Sequence, residues 1–151
     1  MKAVERGLEL RVERPNYPRS TTDNYLETTE KIMFNFEKLE TWQKAIQFAD
    51  LVYKLTRSFP DEERFGLTSQ MRRAAVSISS NIAEGAARHS HLDYARFVEI
   101  ATGSLFEVVS QSFIGRNQGF LGEADFTAIY AAAEEQSRML SGLREYLLRT
   151  N

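Results

Sequence analysis

The sequence predicts an all-α protein: an antiparallel up-down-up-down four-helix bundle over residues 34–151, preceded by an irregular N-terminal tail over residues 1–33. Three observations predict it. Apolar residues recur at three- and four-residue spacing in four long segments. A short stretch carrying proline, glycine or a capping residue separates each segment from the next. No stretch alternates apolar and polar residues as a half-buried strand would.

The chain has 151 residues, of which 42% are hydrophobic and 26% charged, the balance of an ordinary globular protein of one domain. No apolar run approaches the roughly 20 residues of a membrane span, so no membrane partner is expected. Without a cysteine there can be no disulfide framework, thiolate metal site or cysteine nucleophile, and a reducing compartment is the natural home. The first twenty residues alternate charges where a secretion signal would be continuously apolar, which points to the cytoplasm.

Residues 1–33 contain Pro15 and Pro18, the polar run from Ser20 to Asn24 and no sustained apolar period. They read as a loose arm. Met33 stands just ahead of the first helical pattern and is the expected natural start of the protein.

The first helix starts at Leu39. Trp42, Ile46, Ala49 and Tyr53, with Ala45, Phe48, Val52 and Leu55, give it a broad apolar face. Ser58, Phe59 and Pro60 stop it, because proline lacks a donor and pushes the preceding residue out of helical dihedrals. In the second helix Thr68 is the expected N-cap, Leu67, Met71, Ala75, Ile78 and Ile82 face inward, and the end falls near Arg88. Ser90 or His91 opens the third. Its inward residues are Tyr94, Phe97, Val98, Ala101, Leu105, Val108 and Val109, and it is expected to end before Gly115 and Gly119. The fourth carries Phe126, Ile129, Tyr130, Ala133, Ser137, Leu140, Leu143 and Leu147 on one face. Short connections between helices of this length favour an up-down-up-down arrangement.

The second helix holds the least ordinary pattern. Gln70, Arg73, Ser77, Asn81, Glu84 and Arg88 recur at steps of three or four, amid small residues such as Ala74, Ala83 and Ala87. One reading is a solvated face with a Glu84–Arg88 pair worth about 0.3–0.5 kcal/mol. The other is a contact stripe (Gln70, Ser77, Asn81, Glu84), since short side chains admit close approach and lysine and glutamate are scarce here. On that reading Asn81 and Glu84 must be hydrogen-bonded, because an unsatisfied buried polar group costs about 1–3 kcal/mol. Phe106, Phe113, Ile114, Val76, Met139 and Tyr146 fall off the inward stripes, which suggests self-association.

Nineteen basic and 21 acidic residues give a formal charge of −2, without the basic excess of a dedicated nucleic-acid binder. Phosphate contact would need a local patch, and the candidates are Arg72, Arg73, Arg88, His89, His91 and Arg96, the last four near one turn. His89, His91 and Asp93 alternate like metal ligands in extended chain, but a capping loop fits them better, and no metal or other cofactor is expected. A glycine-rich phosphate loop, an HExxH pair and a GxSxG elbow are all missing, so no catalytic residue or small-molecule substrate is assigned.

Four segments carry a family resemblance: LETWQKA at 39–45, VYKLTRSFP at 52–60, FGLTSQMRRAAVSISSNIAEGAAR at 65–88 and FVEIATGSLFE at 97–107, with SISSNIAEG at 77–85 the most specific. They resemble the bacterial four-helix bundle proteins encoded in intervening sequences of 23S ribosomal RNA genes, also labelled S23 ribosomal proteins. The resemblance spans most of residues 36–148. It implies a ring-like homopentamer of antiparallel bundles, without enzymatic activity and of unknown cellular role. It also implies distant kinship with the accessory variability determinant proteins of diversity-generating retroelements, which bind reverse transcriptase and nucleic acid. Those proteins generally lack the NIAEG segment, and their role is not carried over. Two functions follow as expectations: an oligomeric interaction protein, or an accessory protein that binds RNA or DNA, with reverse transcriptase or ribosomal RNA as a partner.

Overall fold

The computed structural model describes residues 34–150, so the N-terminal tail and the expected start at Met33 lie outside the described residues. Four α-helices follow in chain order: α1 (Glu40–Leu55), α2 (Leu67–Ala86), α3 (His91–Asn117) and α4 (Glu123–Arg149). Short 3-10 turns at Asn35–Lys38, Thr56–Ser58 and Asp61–Glu63 complete the secondary structure, and no strand occurs among the described residues. The fold is the all-helical bundle that the periodicity predicts.

Pair contacts between the helices fix their directions. Arg72 on α2 donates to Thr56 at the end of α1. Gln111 bonds Gln70 and Ser104 bonds Ser77 across α2 and α3. Arg144 pairs with Glu99 and Arg116 with Glu123 across α3 and α4. Gln136 Nε2 donates to the Thr41 carbonyl and closes α4 onto α1. Along α2–α3 and α3–α4 one residue number rises as its partner falls. Lys44–Glu135 beside Thr41–Gln136 does the same for α1–α4, and Phe34 beside Ala87 with Thr56 beside Arg72 for α1–α2, so neighbours are antiparallel and the order around the bundle is α1, α2, α3, α4.

The core is the sum of the four inward stripes, with Val52, Met71, Ile78, Ile82, Val98, Leu105, Val108, Ile129 and Leu140 fully buried. Burying a side chain of this size stabilises the fold by about 1.5–3 kcal/mol before entropy is counted. Phe59 and Leu121, both in connections, plug one end of the bundle, with Phe120 against Phe59 at 5.6 Å.

Several boundaries differ from the sequence reading for identifiable reasons. The start of α2 is capped from outside: the Glu63 carboxylate accepts from Leu67 N at 2.8 Å, next to Gly66, while Thr68 is buried within the first turn. Helix α2 ends at Ala86, two residues before the predicted end, because Ala87 and Arg88 bond back to Glu84 and Gly85 in a tight turn. Helix α3 runs through Gly115, whose lack of a side chain admits Leu121 and Phe59. It stops at Gly119, where φ is +76° and Phe120 N bonds Gly115 O at 2.8 Å while Gly119 N bonds Arg116 O at 3.0 Å. That paired return of amides onto the last turn is the Schellman stop.

By length and composition α3 is the one helix among the described residues able to cross a membrane, with a mean hydropathy of 1.2 over its most apolar stretch. The sequence reading had expected no such run. Here its Ala95, Val98, Ala101, Leu105 and Val108 serve as the inner wall of the bundle between α2 and α4.

Candidate functional site

Two longitudinal faces and one turn carry the functional candidates. On the first face α2 and α3 run antiparallel with Gln70 level with Gln111, Ser77 with Ser104 and Gly85 with Tyr94. Ser104 Oγ donates to Ser77 Oγ at 2.9 Å, and Gln111 Nε2 lies 3.3 Å from Gln70 Oε1 and 3.0 Å from Glu107 Oε1. Asn81 Nδ2 donates to the Ser77 carbonyl at 2.7 Å and its hydroxyl at 3.0 Å, and Glu84 accepts from Arg88 at 2.6 Å. Each residue of the predicted stripe of Gln70, Ser77, Asn81 and Glu84 therefore makes at least one hydrogen bond within the chain, while Gln111 Oε1 on the same seam is buried without a partner. The inner edge of the stripe is the α2–α3 seam, and its outer edge is exposed at Gln70, Arg73, Glu84 and Arg88.

Gly85, the last residue of SISSNIAEG, has a role that composition conceals. A Cβ there would run into the Tyr94 ring and lie 3.0 Å from Phe97 Cβ, so glycine is what lets α3 start close against the end of α2. The Tyr94 hydroxyl is buried without a partner in the protein, and burial pushes its pKa up to about 12. Midway along the same face Gln70, Arg73, Ala74, Ser77, Ser104 and Glu107 line an open polar cleft of about 410 Å³.

The basic candidates do not form one patch. Arg72 turns toward α1, its Nε 2.8 Å from Thr56 Oγ1 and its guanidinium 4.9 Å from the Tyr53 ring centre. Arg73 lines the cleft toward α3. Both stand roughly 20 Å along α2 from its end at Ala86, at about 1.5 Å per residue, and Arg88 lies beyond that end. At the α2–α3 turn Arg88 pairs with Glu84 and covers the Phe97 ring at 4.4 Å, and Arg96 pairs with Asp93 at 3.2 Å. His91 Nδ1 meets Thr150 Oγ1 at 2.9 Å, which ties the start of α3 to the end of α4, and His89 is exposed. Ser90 Oγ accepts from Asp93 N at 3.1 Å, so the His89–Asp93 segment is the cap of α3.

The second face, between α3 and α4, is apolar. Leu105, Phe106, Val109, Tyr130 and Ala133 line a groove of about 200 Å³ whose rim is Glu134 and Ser137. Phe106 is 60% exposed and Tyr130 40%. Phe113 extends the patch, with its ring 4.9 Å from Phe126 and 6.2 Å from Tyr130. Tyr130 was expected in the core, as were Tyr53 and Ile46, which are also exposed. Ile129 holds the inward direction, and its immediate neighbour cannot share it at 100° per residue. Phe106 and Phe113 fall off the inward stripe of α3 one by one in the sequence, and only the packing of α4 brings Tyr130 beside them.

Residues 37–142 match the family model of the 23S rRNA-intervening sequence protein. The chain belongs to that family. Among solved structures, a protein of unknown function from the S23 ribosomal protein family of Bacteroides thetaiotaomicron superposes with a TM-score of 0.62 at 20% identity, covering 69% of this chain and 97% of that one. At that identity the likeness concerns the fold alone. Comparison with curated proteins gives no match. Neither the family nor its solved member indicates an enzyme class. The four segments that carried the resemblance lie within the matched span, as does Gly85 beneath Tyr94 in this intervening-sequence protein.

Proposed function

We propose that the chain is a cytoplasmic, non-enzymatic interaction protein that works as a homo-oligomer, the homopentamer its family resemblance implies, with the α3–α4 aromatic face as a subunit contact. The observation that carries this reading is the contiguous patch of the exposed Phe106, Phe113 and Tyr130, with the half-buried Val109 beneath them, around a preformed groove. Contiguous apolar surface of this kind marks interaction sites, and aromatic side chains dominate interface energetics because each buries about 150–250 Å². Replacing Phe106 by Asp is expected to lower the solution mass while leaving helicity unchanged. An unchanged mass would remove this face from the assembly.

The second reading is an accessory protein for RNA or DNA, with reverse transcriptase or ribosomal RNA as a partner, using Arg88, His89, His91 and Arg96 with Arg72 and Arg73. The gathering of four of these at one turn supports it. Against it, Arg88 and Arg96 already hold carboxylates, and Arg72 and Arg73 face different sides far from that turn. Neutralising Arg88 and Arg96 together is expected to leave RNA binding and its salt slope unchanged if the first reading holds, and to weaken both if the second does.

A further inference from the structure

The polar cleft of about 410 Å³ between Gln70, Arg73, Ala74, Ser77, Ser104 and Glu107 has no part in the subunit contact assigned above. Its volume lies in the range of roughly 300–1,000 Å³ usual for small-molecule sites. The register that sets Gln70 level with Gln111 and Ser77 with Ser104 also brings Arg73, on the α2 wall, level with Glu107 on the α3 wall. Yet the two form no ion pair with each other or with any other described residue. The Ser77 and Ser104 hydroxyls lie 2.9 Å apart in the same cleft.

The α3 wall is held from behind. Gln111, only 6% exposed, gives its Nε2 to Glu107 Oε1 at 3.0 Å and to Gln70 Oε1 at 3.3 Å, and its own Oε1 stays buried without a partner. Such orphaned atoms are rare in folded proteins, because each forgoes a hydrogen bond that water would supply. The amide cannot turn its oxygen to Glu107 instead, since a carboxylate only accepts. Folding thus bears the cost of one unpaired oxygen while Gln70 and Glu107 are held in the cleft and Glu107 stays unpaired with Arg73.

We infer that this cleft binds a free α-amino acid, with its carboxylate on the Arg73 guanidinium, its ammonium on the Glu107 carboxylate and its main-chain atoms beside Ser77 and Ser104. A guanidinium presents paired N–H donors that match a carboxylate, and Glu107 supplies the acceptor that an ammonium needs. A ligand with one charge alone meets a like charge on one wall, whereas a zwitterion answers both walls together. The same Glu107 sets the cleft against a phosphate group. Because the cleft is open, the ligand's side chain extends into solvent and the site reads the charged end that all amino acids share.

Saturation-transfer NMR on the full wild-type chain tests this with three probes: glycine, N-acetylglycine, which lacks the ammonium, and glycinamide, which lacks the carboxylate. Glycine is expected to bind, and each blocked form to bind at least about tenfold more weakly, since a hydrogen bond to an ionised group is worth roughly that factor or more. Arg73 and Glu107 are both exposed, so Arg73→Gln and Glu107→Gln should fold, with helicity checked by circular dichroism. Each should weaken glycine binding to a similar extent. The remaining affinity for N-acetylglycine should fall in Arg73→Gln and hold or rise in Glu107→Gln. Absence of glycine binding to the wild-type chain, equal binding of the blocked forms, or unchanged glycine affinity in either variant overturns the assignment. The three-probe comparison on the wild-type chain decides the matter even where a variant does not fold.

Discussion

Two glycines in helices should respond in opposite directions to the same substitution. At Gly103, in mid α3, a Cβ meets nothing within 4 Å, so Gly103→Ala gains helix propensity without a clash. The expected stabilisation is about 0.5–1 kcal/mol. At Gly85 the same methyl group would overlap the Tyr94 ring and crowd Phe97. Overpacking typically costs about 1–3 kcal/mol, which exceeds the propensity gain, and Gly85→Ala is expected to destabilise by about 1–2 kcal/mol net. Urea unfolding followed by circular dichroism at one fixed protein concentration reads both, the fixed concentration being needed because association shifts apparent stability. The Gly103→Ala midpoint should rise and the Gly85→Ala midpoint fall, with unchanged slopes. If Gly85→Ala is as stable as Gly103→Ala, the account of the α2–α3 close approach is refuted. A second check is Gly85→Ala in a Tyr94→Ala background, where the ring is gone and the substitution should cost less than it does in the wild-type chain.

Further outcomes follow from single groups. The Tyr94 pKa is raised in the folded state to about 12, so between its ordinary value near 10 and 12 the unfolded chain releases a proton that the folded one keeps, and stability falls as pH rises through that window. Tyr94→Phe should lessen the fall above pH 10 and leave stability at neutral pH unchanged or higher, since the buried hydroxyl has no partner to lose; an identical alkaline titration would contradict this. Thr56 is buried, donates to the Val52 carbonyl at 2.8 Å and accepts from Arg72, so Thr56→Val should cost about 1–2 kcal/mol in thermal or urea unfolding. Ile129→Ala, at a fully buried position, should cost about 2–5 kcal/mol, and a smaller loss would mean that the core is less packed than described.

The helices and most of their inward residues were legible because a 3.6-residue period leaves a direct imprint on the order of apolar residues. Their ends were less so. The cap of α2 comes from Glu63, four residues before the amide it serves, and a local pattern search favours the nearer Thr68. Gly115 reads as a stop and is instead a packing notch for Leu121, which only the returning chain reveals. The polar stripe on α2 was visible, but its partners Ser104, Glu107 and Gln111 come from α3, so its division between seam and open cleft depends on how the helices face each other. The six basic candidates were chosen by residue type and turn proximity, and distance along α2 separates Arg72 and Arg73 from the rest. The buried glutamine Gln136, bonded to the Thr41 carbonyl at 3.1 Å, gave no advance signal among the polar residues of α4.

The most direct test of the account is the solution mass of the full chain by light scattering at low and high salt, with and without structured RNA. The account predicts a stable multiple of the 17.3 kDa chain, larger than a dimer, held at high salt by the aromatic face and unaltered by RNA. A monomer at all salts would contradict it, and a mass that changes only when RNA is added at low salt would transfer the function to nucleic-acid binding.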